Sequence, residues 1–144
     1  MPYKLFKGGK WSVGGDKPVI TLLPNGLICF NKVCYERYIK VDNYGYVKLY
    51  YEPEMKKIAF QPLHKEIGER VFPINLIKPG LLAVIRAKTF LTHYGIKYEG
   101  QVRSYPVHET YIIEPGSGYK RTWSEVKRKV IEIRLDEYLP AAGT

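Results

Sequence analysis

The side chains of this 144-residue sequence that are best suited to chemistry are cations interleaved with aromatic rings. Between Tyr119 and Lys129 the chain places five of its 23 basic residues: Lys120, Arg121, Lys127, Arg128 and Lys129. Such cations neutralise phosphates and release counterions, while Tyr119 and Trp123 among them offer faces on which a base can stack. A second set comprises Lys32, Arg37, Arg86 and Lys88, which lie on or beside two segments read below as short helices. Catalytic patterns are missing by contrast. His64, His93 and His108 are far apart with no metal-ligand spacing, and there is no nucleophile elbow, phosphate loop or paired-carboxylate motif. The expectation is therefore no enzyme, no metal and no cofactor. Cys29 and Cys34, the two cysteines, are expected to be buried thiols of a reducing compartment.

The charge of the whole chain points the same way. Lys and Arg exceed Asp and Glu by 23 to 14, a formal +9, and an excess of that size attracts polyanions. Disorder does not account for it, because the apolar share of 45% suffices to build a core. No run approaches the ~20 apolar residues of a membrane span, and no apolar segment follows the basic stretch Met1–Lys10. These features predict a cytoplasmic protein with DNA or RNA as partner and no membrane. A second class stays open: a structural or assembly protein, such as a viral or phage accessory subunit, that uses exposed strand edges.

Elements to position these residues follow from pattern. Residues 1–18 read as a basic, Gly-rich arm. Val19–Leu23 and Leu27–Phe30 are β-runs around Pro24-Asn25-Gly26, and Asn-Gly between apolar runs is a strong hairpin signal. Asn31 is placed to cap a short helix through Tyr38. Val47–Tyr51 and Lys57–Gln61 form a second hairpin, closing a ββαββ half over 19–63. The Pro- and Gly-bearing stretch 64–80 reads as a connector with little regular structure. The second half, 81–144, starts again with an apolar run at Leu81–Arg86 and a short helix over Lys88–Tyr94, with Gly95 as its left-handed stop. Gln101–Ile113 supplies one strand and Lys129–Leu135 another, separated by a basic insertion at 114–128. This second half shows no first hairpin strand of its own.

The predicted fold is strand-dominated α+β, with two similar hairpin, short-helix, hairpin halves in one compact unit. A displacement of 56 residues lays Lys32 on Lys88 and Tyr38 on Tyr94, and Ile28-Cys29 on Val84-Ile85. The pattern of turn Gly26, alternating Ile28 and Phe30, Lys32 on the helix, then Val47, Leu49, Ile58, Phe60 and Pro62 resembles the swapped-hairpin AbrB/SpoVT DNA-binding family. Lys88, Phe90, Gly95 and Ile96 repeat part of it, whereas Asn31 and Ala87 stand where that family carries Pro. The resemblance implies DNA binding and a homodimer formed by strand exchange, with Lys32 and Lys88 in equivalent positions.

Overall fold

Gly26, at φ 87°, turns the chain so that β1 (Val19–Leu22) pairs with β2 (Leu27–Phe30), Ile20 opposite Phe30. A computed structural model describes residues 17–77, 82–100, 102–114 and 126–139 of the chain. Asn31 ends β2 and begins α1 (Lys32–Tyr38) through one side chain that serves three backbone groups. Its Oδ1 accepts from Cys34 N–H at 2.9 Å and from Val19 N–H at 3.0 Å, while Nδ2 donates to the Lys17 carbonyl at 2.9 Å. The cap thus fixes the helix start and fastens it to β1. A 3-10 turn, Lys40–Asp42, leads into the hairpin of β3 (Tyr46–Glu52) and β4 (Lys57–Leu63). In both strands alternate residues are buried, as period-2 patterning requires: Val47 and Leu49 on β3, Ile58 and Phe60 on β4.

The stretch 64–80 departs from its reading as a connector. It carries β5 (Val71–Pro73), paired with β3, and β6 (Asn75–Ile77), paired with β7 (Leu82–Arg86). Every residue of β6 is exposed, so no buried face marks it in the sequence, and its neighbours set its register. β6, antiparallel to β7, takes the place of the first hairpin strand that the second half seemed to lack, and Ile74 joins it to β5 in the other sheet. After α2 (Lys88–His93), which Gly95 ends at φ 66°, the strand expected over 101–113 bends at Val107 into two. They are β8 (Arg103–Pro106), on β1, and β9 (His108–Glu114), on β10 (Val126–Arg134).

Two five-stranded antiparallel sheets result, in the orders β6-β7-β2-β1-β8 and β5-β3-β4-β10-β9. They share one core, in which Phe30 of the first meets Phe60 of the second edge to face, ring centroids 5.6 Å apart. Because β5 runs into β6 and β8 into β9, the sheets are joined along both margins and the strands close a flattened barrel.

The register of β2 on β7 is centred on residues that the 56-residue displacement relates. β2 pairs with β7 so that Ile28 faces Ile85 and Cys29 faces Val84, each residue opposite the neighbour of its own counterpart. An antiparallel ladder of that register straddles a pseudo-two-fold axis. The helix ends obey it too. Tyr38 of α1 reaches Glu109 on β9, and its counterpart Tyr94 of α2 packs on Tyr51 of β3, centroids 5.0 Å apart.

Candidate nucleic-acid interface

Where two strands part, the barrel wall opens. β4 and β10 pair from Arg134 opposite Lys57 to Ile131 opposite Phe60, and Leu135 N–H continues the ladder to the Lys56 carbonyl at 2.9 Å. Hydrogen-bonded pairs alternate along an antiparallel ladder, so beyond Phe60 and Ile131 the next would join Pro62 to Lys129. Proline has no N–H to give, and the ladder stops there. Onward from this point β4 stays with β3, Val47 facing Pro62, while β10 stays with β9, Lys129 facing Tyr111. A groove of about 760 Å³ occupies the gap.

Among the described residues, four cations line it, Arg37 of α1, Lys48 of β3, and Arg128 and Lys129 of β10, and the single carboxylate among those lining residues is Asp42. On the rim, Tyr38 donates to Glu109 Oε2 at 2.7 Å, and Lys129 Nζ lies 3.3 Å from Glu109 Oε1. The Tyr38 hydrogen bond, helped by Lys129, holds the Glu109 carboxyl below its ordinary range, and burial with the same bond pushes the Tyr38 phenol up. A depressed carboxylate favours the native state above its unfolded pKa and loses that effect as pH falls through the folded value. Here the contribution is small, since Lys129 and Glu109 are 57% and 48% exposed and water screens them. Across the groove His64 stacks on Tyr44, centroids 4.5 Å apart with planes 26° apart, and its Nε2 lies 2.8 Å from the Asp42 carbonyl oxygen. That imidazole is exposed and held in orientation from two sides.

The groove collects some of the sequence candidates and leaves others elsewhere. Arg37, Arg128 and Lys129 line it, and Lys127 lies one residue further along β10, opposite Ile113. Lys32 and Lys88 are exposed at the starts of the two helices and Arg86 at the end of β7, and none of the three lines the groove. Tyr119, Lys120, Arg121 and Trp123 lie outside the described residues. Lys48, Tyr38, Tyr44 and His64 belong to the site and were missed. The one available signal was the outward parity of Lys48 in an alternating strand; nothing local ties the 38–64 stretch to residue 128.

Both thiols sit where nucleophilic chemistry is disfavoured. Burial pushes Cys29 up to about 11 and raises Cys34, fully buried in α1, further still. Native protein at pH 8 is expected to give almost no reaction with a thiol-specific disulfide reagent, and two equivalents once unfolded in urea. Rapid labelling of either cysteine in the folded state would contradict this burial. Among the described residues no group of three His, Cys, Asp or Glu side chains is placed to hold a metal ion, and no helix is long and apolar enough to cross a membrane. No family model, curated protein or solved structure matches the chain.

Proposed function

We propose that this protein binds nucleic acid through the groove between β4 and β10. The observation that carries the reading is the convergence of Arg37, Lys48, Arg128 and Lys129 on one concave seam with a single carboxylate among the described lining residues. The four cations are drawn from a helix and from two strands of different hairpins. Gathered on one groove they raise its positive potential, which a polyanion would neutralise. Their contacts would go to phosphates, which position a strand without reading its sequence. The resemblance to the AbrB/SpoVT pattern points to the same class of ligand.

Fluorescence anisotropy on labelled oligonucleotides at 50 and 200 mM salt tests the proposal. Four phosphate contacts predict a slope of log affinity against log salt of about −3, at ~0.7–0.9 per contact. Glu109→Gln removes the anion beside Lys129 and should tighten binding a few-fold, because one unit charge at several Å in water is worth ~1 kcal/mol or less. Absence of binding at 50 mM salt would end the reading.

A second reading, assembly of copies through β9, is favoured by the exposure of Tyr111 (60%) and Ile113 (58%) on that strand. Assembly of that kind would make the sedimentation coefficient rise with protein concentration and would leave the salt slope near zero.

A further inference from the structure

We infer that the groove takes a single-stranded nucleic acid rather than a duplex, and that Pro62 is the residue that keeps it open. The inference rests on the proposed function and narrows it.

The pseudo-two-fold shows what Pro62 does, because the barrel contains the same seam twice. Tyr38 meets Glu109 where Tyr94 meets Tyr51, so Glu109 on β9 and Tyr51 on β3 are counterparts. Two residues back on each strand, Leu49 is the counterpart of Val107. Leu49 faces Phe60, and the β9–β10 register carries Val107 to Ile133, which makes Phe60 and Ile133 counterparts. Two residues beyond these stand Pro62 and Leu135. At the second seam Leu135 N–H donates to the Lys56 carbonyl at 2.9 Å and carries the ladder one residue past the strand ends. At the first seam the same bond would run from residue 62 to the Lys129 carbonyl, and proline cannot make it. One imino acid thus separates a closed seam from an open one, and the cations gather at the open one.

The shape of the opening selects the ligand. Reading the duplex major groove requires a protruding helix or two-stranded ribbon, since the bases lie at the bottom of a cleft ~12 Å wide. This site is itself concave, and about 760 Å³ is of the size that takes a ligand of drug-like or nucleotide dimensions. A single strand has bases that can turn into such a recess. The face they would meet is His64, backed by Tyr44 and fixed by the Asp42 carbonyl oxygen. Histidine and tyrosine rings are ordinary stacking platforms for unpaired bases. Lys48, Arg128 and Lys129 on the two lips are then placed for the phosphates that flank the base.

The experiment compares wild type, Pro62→Leu and Pro62→Ala on a labelled 20-nucleotide DNA of mixed sequence, the RNA of that sequence, and the duplex form of the DNA. Leucine is the natural occupant of the counterpart position, and both variants restore the N–H without removing any charge. Wild type should prefer one or both single strands to the duplex by at least tenfold. The variants should lose at least tenfold of that affinity with their melting temperature unchanged or raised, and residue 62 should acquire a slowly exchanging amide. Should Pro62→Leu fail to fold, Pro62→Ala decides. Equal or tighter binding of the duplex by wild type, or single-strand affinity unaltered in the folded variants, overturns this inference and leaves the proposed function standing. Absence of binding to all three probes overturns both.

Discussion

Replacing Arg37, Lys48, Arg128 and Lys129 together by alanine is expected to lower nucleic-acid affinity about a thousandfold near 0.1 M salt. Each phosphate contact contributes a factor of roughly [salt] to the power −0.7 to −0.9, which at 0.1 M is about five- to eightfold. Four such contacts multiply to ~10³, and the slope of log affinity against log salt should flatten by about 3 in the same variant. The fold should survive. Arg37, Arg128 and Lys129 are exposed and Lys48 is half-buried, and the ion pair lost with Lys129 is a screened surface pair. Circular dichroism and a melting curve check that condition. A folded quadruple variant that binds with unchanged affinity and slope would show that these side chains only solubilise the barrel. Restoring single cations should then rank them: those that touch phosphate return close to one unit of slope each.

The largest effect on stability is expected at Gly26. Two independent demands meet there. Its φ of 87° is strained for any residue with a Cβ, and a Cβ built on it would lie 2.6 Å from Lys88 Cβ and 2.9 Å from Lys88 Cα. The first cost is roughly 1–2 kcal/mol and overpacking adds roughly 1–3. Neither neighbour can swing away, since both atoms belong to the first turn of α2, which the Ala87 N–H bond to the Gly26 carbonyl holds at 3.1 Å. Gly26→Ala should therefore destabilise by about 2–5 kcal/mol, a large share of the ~5–15 kcal/mol that holds a domain of this size. Gly95 is the internal control. Its φ of 66° is equally left-handed, but nothing lies within 4 Å of a Cβ there, so Gly95→Ala should cost only the backbone strain. Urea titration of the two variants measures the difference, and equal losses would show that the contact with Lys88 is not a close one.

Gly26 also shows what was legible and what was not. Asn25-Gly26 between apolar runs announced a hairpin turn, and that local need for positive φ was readable from the residues alone. The approach of Lys88 was not, since it depends on a helix 62 positions further along the chain. The same division separates the strands. Val47, Leu49, Ile58 and Phe60 alternate with half-exposed residues, so their hairpin was legible. β5 and β6 hold three residues each, with no fully buried position, and nothing in the residues around Pro73 marks more than a connector. Val107 likewise carries no mark of the bend that passes its strand from one sheet to the other. Barrel closure creates that corner.

The candidate interface divides along the same line. Charge, the aromatic and basic segment before β10, and the candidates Arg37, Arg128 and Lys129 came from composition and local clustering. Lys48, His64 and Tyr44 became part of the groove only when β4 and β10 met and failed to stay together. By itself the sequence determined the turns, the Asn31 cap, the buried faces of the longer hairpin strands and the excess of positive charge. These are properties of φ, of side-chain type and of period, all of which act over a few neighbouring residues. Tertiary structure alone decided which strands share a ladder, where that ladder ends at Pro62 and which cations face one another across the gap. Register between strands far apart in the chain is set by the whole closed barrel, and no short window of residues contains it.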